Sequence, residues 1–420
     1  MGMTLAEKIM AKSSGKDSVS PREIVKASVD LVVANDITAP LTFKSFEEMG
    51  FKEVWNADKT VIVLDHNIPP SDVGSASQMR LIREFCRTHG VKHFFDIGRA
   101  GIAHQVVQEF GFIVPGMLVI GADSHTCTGG SLGALAMGVG STESAVAMGS
   151  GRLWFKVPES MKVNAEGSLI PPVSPKDLIL EIIGKAGSDG ATSKSIEYVG
   201  RCFREMSIGG RMTVANMSVE MGAKAGVVEA DATTAEYLEA RTKKSWSPVG
   251  ADKDAVYSDV LEFDGSTLTP KIAAPPSVDN VKDATEIEGV EIDQVFLGSC
   301  TNGRLEDLKE AARILKGKTV HPRVRMVVMP ASQRIYAEAL REGIIEIFLE
   351  SQAIVCGPSC GPCLGMSQGV LAEGEVCVST SNRNFMSRMG HRDSKVYLAS
   401  PATAAASALN GAITDPRAFY

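Results

Sequence analysis

No stretch of this chain stays apolar for long. The most hydrophobic window, residues 110–122, is interrupted by Gly111, Pro115 and Gly116 and is too short to span a bilayer. The N-terminal MGMTLAEKIMAKSSG lacks the apolar core of a secretory signal. Ala6 stands where a myristoylation motif starting at Gly2 needs Ser or Thr. Long blocks of like charge are missing too: 43 Lys and Arg face 50 Asp and Glu, for a net charge of −7. With no basic stripe, nucleic acid and anionic membranes are poor candidates for the main partner. There is no repeat of solenoid period and no low-complexity tract. A chain without an export signal is expected in the cytoplasm, where thiols stay reduced. Its eight cysteines therefore read as metal ligands or buried thiols rather than disulfides.

What is present is an α/β pattern. The 420 residues, 44% of them hydrophobic and 22% charged, exceed what one core usually holds. Short apolar runs at 60–66, 93–98, 117–125, 295–300, 324–330, 353–357 and 376–380 predict buried strands of mostly parallel sheets. Ala, Leu, Glu and Arg at helical spacing predict helices over 75–89, 304–316 and 332–342. Two poorly periodic stretches rich in Pro and Ser, 159–177 and 269–280, read as boundaries. The expected division is into three α/β domains, 1–158, 159–280 and 281–420. Polar residues gather where strands end: Asp65-His66, Asp123-Ser124-His125 and Ser299-Cys300-Thr301-Asn302. Ligands of open α/β sheets bind at such carboxyl ends, so these loops are expected to share a cleft.

The glycine- and proline-rich GPSCGPCLG, residues 357–365, belongs in a tight loop and carries Cys360 and Cys363. With Cys300 in GSCTNGR it makes a C-x59-C-x2-C set. Three thiolates on two loops suit zinc with a histidine, or an iron–sulfur cluster. A cubane cluster normally takes four thiolates, so three would leave one iron open to substrate. A thioredoxin-like redox pair shares the C-x2-C spacing, but that motif opens a helix, which the two prolines disfavour. Cysteines 86, 127, 202, 356 and 377 read as buried thiols, with Cys356 closest in sequence to the pair. The glycines of 129–143 do not follow a dinucleotide-binding spacing.

Taken together, GSCTNGR, CGPCLG, GADSHT and TSNRNFMSR resemble the aconitase superfamily, and the likeness runs from NDIT (35–38) to SPATAAASALNG (400–411). Chain length narrows it to the large subunits of the two-subunit isopropylmalate isomerase or homoaconitase type. The resemblance implies three aconitase-like α/β domains around a central cleft. It also implies a [4Fe–4S] cluster on Cys300, Cys360 and Cys363 with a labile open-site iron. The reaction implied is dehydration of a hydroxy acid followed by rehydration at the neighbouring carbon.

The same resemblance assigns Asp65 and His66 to protonation of the departing hydroxyl, and His104 with Asp123 and His125 with Glu220 to two further His–carboxylate pairs. Ser124, Arg383 and Arg388 match substrate-binding positions, arginine forks being suited to carboxylates. Asn382 matches an asparagine beside the cluster. His89, His93, His321 and His391 match nothing. Soon after the Ala-rich 400–411 the chain ends at Tyr420, leaving no segment for the family's swivelling domain. A separate small subunit is therefore expected to close the cleft, supply the base and set specificity. Isopropylmalate is the expected substrate, with a homoaconitase, citramalate or dimethylmalate type as the alternative. A cluster-free RNA-binding protein, an electron-transfer protein and a zinc hydrolase are the rivals from other classes.

Overall fold

The structure is a computed structural model that describes residues 2–99 and 101–420. Each predicted strand forms, most of them shorter than expected, and the one expected over 295–300 forms as Gln294–Leu297. Thr60–Val63 and Leu118–Gly121 are buried along their whole length, as strands covered on both faces must be. They lie in a five-stranded parallel sheet ordered His93–Phe95, Thr60–Val63, Leu31–Asn35, Leu118–Gly121, Leu135–Gly138. A four-stranded parallel sheet runs Ala225–Val228, Ser195–Val199, Ser160–Glu166, Asp259–Asp264.

The third sheet has seven strands. Its order is Val281–Asp283, Lys271–Ala273, Lys395–Leu398, Val376–Ser379, Gln294–Leu297, Arg325–Val328, Ile354–Val355. The last five are parallel and the first two join antiparallel. A separate antiparallel ribbon pairs Ile24–Ser28 with Arg152–Lys156.

The predicted helices form as Val73–Thr88, Leu305–Leu315 and Gln333–Arg341. Asp72 caps the first and Ser332 the third, each accepting an orphan backbone N–H. The helix Pro401–Asn410 buries Ala402, Ala404, Ala405 and Ala408 in the same cluster as Leu308 and Ala311. A larger side chain at Ala405 would overpack that seam, at about 1–3 kcal/mol. No helix of the described residues is long and apolar enough to cross a membrane.

Two stretches expected as connections contain strands instead. Within 159–177, Ser160–Glu166 alternates buried and open positions along the four-stranded sheet, and the helix Pro175–Ala186 begins at the tract's end. Within 269–280, Lys271–Ala273 pairs with Val281–Asp283, so residue 280 lies inside a hairpin of the seven-stranded sheet. Neighbouring prolines hide these strands because Pro is tolerated just outside a strand or at a helix start.

Candidate functional site

Three loops bring the sulfur atoms together. The strand Gln294–Leu297 runs into Ser299, whose φ of +71° turns the chain back so that Cys300 points inward. Arg304 clamps this turn, its guanidinium donating to the carbonyls of Cys300 at 2.9 Å and Thr301 at 2.5 Å. Past Ile354–Val355 comes the second loop, where the Cys360 amide donates to the Asp65 carbonyl at 2.8 Å. A short turn, Gly361–Leu364, then presents Cys363.

The third loop follows Val376–Ser379. Its Asn382 donates through Nδ2 to Cys300 Sγ at 3.2 Å, and its Oδ1 lies 3.5 Å from Cys363 Sγ. Arg388 Nη2 lies 3.7 Å from Cys363 Sγ. All eight cysteines are free thiols. Burial pushes Cys300 up to about 12. The Cys360 thiol, donating to Cys363, holds Cys363 well below the usual thiol range with help from Arg388.

Gly361 shows how tightly that loop is drawn. Its φ is +61°, and a Cβ there would stand 2.4 Å from Met329 Sδ and 3.1 Å from Phe296 Cζ. Gly361→Ala is expected to cost about 1–2 kcal/mol from the left-handed backbone alone. A lower denaturant midpoint at unchanged slope would register that loss.

Three histidine–carboxylate pairs face the thiols. His66 Nδ1 donates to Asp65 Oδ1 at 2.6 Å, and Asp65 Oδ2 accepts the Ala103 N–H at 2.7 Å. Asp36, at the end of Leu31–Asn35, accepts the backbone N–H groups of Asp65, His66 and Asn67 at 2.9–3.0 Å. Its carboxylate is also 3.6 Å from His66 Nδ1. Asp36, Asp65 and His66 bring one ligand atom each within 4.8 Å of one another, but five backbone and ring donors already use the two carboxylates. They form a proton-holding network rather than a metal site.

Burial works against the charge on His66, yet Asp65 and Asp36 outweigh it and hold the imidazole well above its ordinary range. Protonated His66 therefore stabilises the fold fully below about pH 6.5, and that contribution fades as pH rises through the raised value.

The other two pairs share Asp123. His104 Nε2 lies 3.2 Å from Asp123 Oδ1, the His125 amide donates to that same oxygen at 2.7 Å, and Asn35 donates to Oδ2 at 3.1 Å. His125 Nε2 meets Glu220 Oε1 at 2.9 Å. Burial opposes ionisation of Asp123, but His104 and His125 carry it well below the usual carboxylate range. Against the same burial penalty, Asp123 and Glu220 raise His125.

Arg383 completes the ring. Its Nε donates to both Glu220 oxygens, at 2.9 and 3.1 Å, and its Nη2 to Ser124 Oγ at 3.1 Å. Arg388 Nε is buried without a partner among the described residues.

These groups enclose a cleft of about 190 Å³. Its wall holds Asp65, His66, His104, Asp123, Ser124, His125, Cys300, Cys360, Cys363, Asn382, Arg383 and Arg388. Glu220 lies off the wall, directly behind His125, and so do Ser299, Thr301 and Asn302 of the strand-end loop that carries Cys300. Larger cavities of about 390, 400, 460 and 700 Å³ lie elsewhere, but none of them gathers thiols and imidazoles. None of His89, His93, His321 and His391 lines the cleft, and neither does Cys356. Three buried thiols converging from two loops, with an amide and a guanidinium aimed at their sulfurs, suit a sulfur-ligated cluster whose ligands carry negative charge.

Sequence reasoning missed several contributors. Asp36 follows a strand as Asp65 and Asp123 do, so the strand-end rule applies equally to it. Arg304 closes the GSCTNGR motif itself. Asn216, which accepts from Asn382 Nδ2 at 3.1 Å, has no local signal.

Comparison with known proteins gives consistent results. A profile described as the Aconitase family (aconitate hydratase) matches residues 7–286 and 277–411. The "3-isopropylmalate dehydratase large subunit" of Thermodesulfovibrio yellowstonii is 51% identical, over 99% of this chain and 99% of that protein. The "3-isopropylmalate dehydratase large subunit 1" of Methanopyrus kandleri is 51% identical, over 100% of both. A "probable 3-isopropylmalate dehydratase large subunit" of Methanothermobacter thermautotrophicus is 49% identical, over 99% of each. A solved structure of Thermococcus kodakaraensis aconitase X overlays at a TM-score of 0.48 with 15% identity, over 85% of this chain and 84% of that one.

Proposed function

The chain belongs to the aconitase family, and on that footing we propose that it is the large, catalytic subunit of a hydro-lyase that interconverts 2- and 3-isopropylmalate in leucine synthesis. The observation that carries the proposal is the meeting of three thiols, three histidine–carboxylate pairs and two arginines on one cleft. A [4Fe–4S] cluster held by Cys300, Cys360 and Cys363 would supply an iron without a protein ligand, a Lewis acid that makes a hydroxyl a better leaving group.

The chain's own residues do the rest. Arg383 keeps Nη1 free of protein partners among the described residues and, with Arg388 and Ser124, binds the substrate's carboxylates. His66 is held at Nδ1 by Asp65, which leaves Nε2 to deliver a proton to the departing hydroxyl. His104 and His125, fixed through Asp123 and Glu220, hold the carboxylate side of the cleft in one geometry. The base for the carbon-bound proton, and much of the specificity, belong to a small subunit that covers the cleft. The enzyme works in the reducing cytoplasm, where its thiols stay free.

The raised His66 sets the pH behaviour. An acid must be protonated to work, so kcat/KM falls on the alkaline side, with a midpoint well above 6.5. The limb should disappear in His66→Gln, which a pH–rate profile will show.

The deciding experiment is anaerobic reconstitution with iron, sulfide and the cognate small subunit. Isopropylmalate, homocitrate and citramalate are then compared by enoate absorbance. Isopropylmalate should be preferred by at least about tenfold. Preference for homocitrate or citramalate would move the chain to the alternative type. Turnover by the large chain alone would remove the small subunit from the mechanism.

A further inference from the structure

Lys176 is the second residue of the helix Pro175–Ala186 and is 0% exposed. An amine so deeply placed must satisfy its donors inside the protein. Its Nζ donates to the Ser381 carbonyl at 2.6 Å, to the Thr380 carbonyl at 2.8 Å and to Asn302 Oδ1 at 3.5 Å. All three partners accept, so all three bonds form at once only in the ammonium state, with three N–H groups.

The partners belong to two of the loops that shape the sulfur wall. Asn302 lies two residues beyond Cys300, and Thr380 and Ser381 directly precede Asn382, which contacts Cys300 Sγ and the Cys363 thiol. The helix bearing Lys176 is itself anchored. Ser174 and Asp177 form its capping box, and Asp177 Oδ1 accepts the Lys271 N–H at 2.9 Å from the seven-stranded sheet. The arginines nearby join other pairs of segments: Arg304 ties the Cys300 turn to Thr213 of the helix Ile208–Met217, and Arg388 reaches from the Asn382 loop to Cys363. Lys176 spans both the Cys300 and the Asn382 loops.

Resting on the cluster assignment above, we propose that Lys176 is a positioning residue for the cluster: its ammonium latches the Cys300 loop to the Asn382 loop and fixes a positive charge behind the sulfur wall. A latch without charge would need only a well-packed apolar side chain, since an uncompensated buried cation is costly. Burial draws Lys176 down to about 7 even against the opposing charges of Asp307, Cys300 and Cys363. Three thiolates on a net-negative cluster provide the compensating charge that the bare thiols lack.

Lys176→Met tests the idea in the reconstituted enzyme, since methionine fills similar space without donors or charge. Iron retained after a fixed exposure to air should fall about tenfold, in keeping with losses of partners behind metal ligands. The midpoint of one-electron cluster reduction, followed by paramagnetic resonance in a mediated titration, should shift negative. A positive charge favours the more negative, reduced cluster, and the variant lacks that charge.

Wild-type retention and midpoint in Lys176→Met, with or without a lower melting temperature, would overturn the proposal. If Lys176→Met does not fold, Asn302→Ala decides, because it removes one of the three acceptors and leaves the amine in place. Faster iron loss at an unchanged melting temperature supports the latch, and unchanged iron loss refutes it. Absence of iron and sulfide from the reconstituted wild type would instead defeat the cluster assignment itself.

Discussion

Cys363→Ser is expected to abolish activity and to leave the anaerobically reconstituted chain nearly colourless. Cys363 is 1% exposed, and its sulfur is approached by Asn382 Oδ1 at 3.5 Å and by Arg388 Nη2 at 3.7 Å. A hydroxyl ionises far less readily than a thiol and is a poor ligand for iron in a cluster. Loss of a group behind a metal ligand costs about 10–100-fold in affinity, and loss of the ligand itself should exceed that range. Iron and sulfide analysis together with the visible spectrum measure the effect.

Cys300→Ser and Cys360→Ser should behave alike. Cys356→Ser should not: Cys356 lies off the cleft wall and its amide pairs with the Val328 carbonyl along the sheet edge. Full iron in Cys363→Ser, or zinc in stoichiometric amount in the wild type prepared without air, would refute the cluster.

His66→Gln is expected to lower kcat by about 10²–10⁴-fold while leaving iron content intact, the span usually assigned to a positioned acid or base. Asp65→Asn should follow it, and the two effects should not add. His66 and Asp65 are joined at 2.6 Å and act as one proton-holding unit. Asp65 also accepts the Ala103 amide at 2.7 Å, which an asparagine oxygen can still take, so the variant tests charge more than packing. Steady-state kinetics on the singles and the double variant yield the coupling. A double loss equal to the product of the two singles would show that they act separately.

Much of this site is legible in the sequence because its chemistry follows strand ends. Asp65, Asp123 and Cys300 each lie just past a buried apolar run, and the sheet topology brings such ends together. Asn382 and Arg383 are found in the same way after Val376–Ser379. Glu220 is different: it stands on a short turn after the helix Ile208–Met217 and reaches the cleft through His125 and Arg383, so the resemblance alone pointed to it.

Lys176 is silent in sequence. It sits among prolines in a tract read as a boundary, and its carbonyl partners are 204 and 205 residues away. The strands Ser160–Glu166 and Lys271–Ala273 were obscured for a related reason, since turn-forming neighbours outweigh a short alternating run. Long-range pairing of this kind leaves no periodic trace along the chain.

The 2.8 Å bond from the Cys360 amide to the Asp65 carbonyl also bears on descent. Asp65 extends from the five-stranded sheet and Cys360 from the seven-stranded one, so this backbone contact joins the loop of Asp65 and His66 to the loop of Cys360 and Cys363. A gene broken between those two sheets would yield products that each inherit an incomplete reaction centre. Duties that make no contact with that junction, such as covering the cleft or sorting substrates, are the ones a genome is free to place on another polypeptide and exchange.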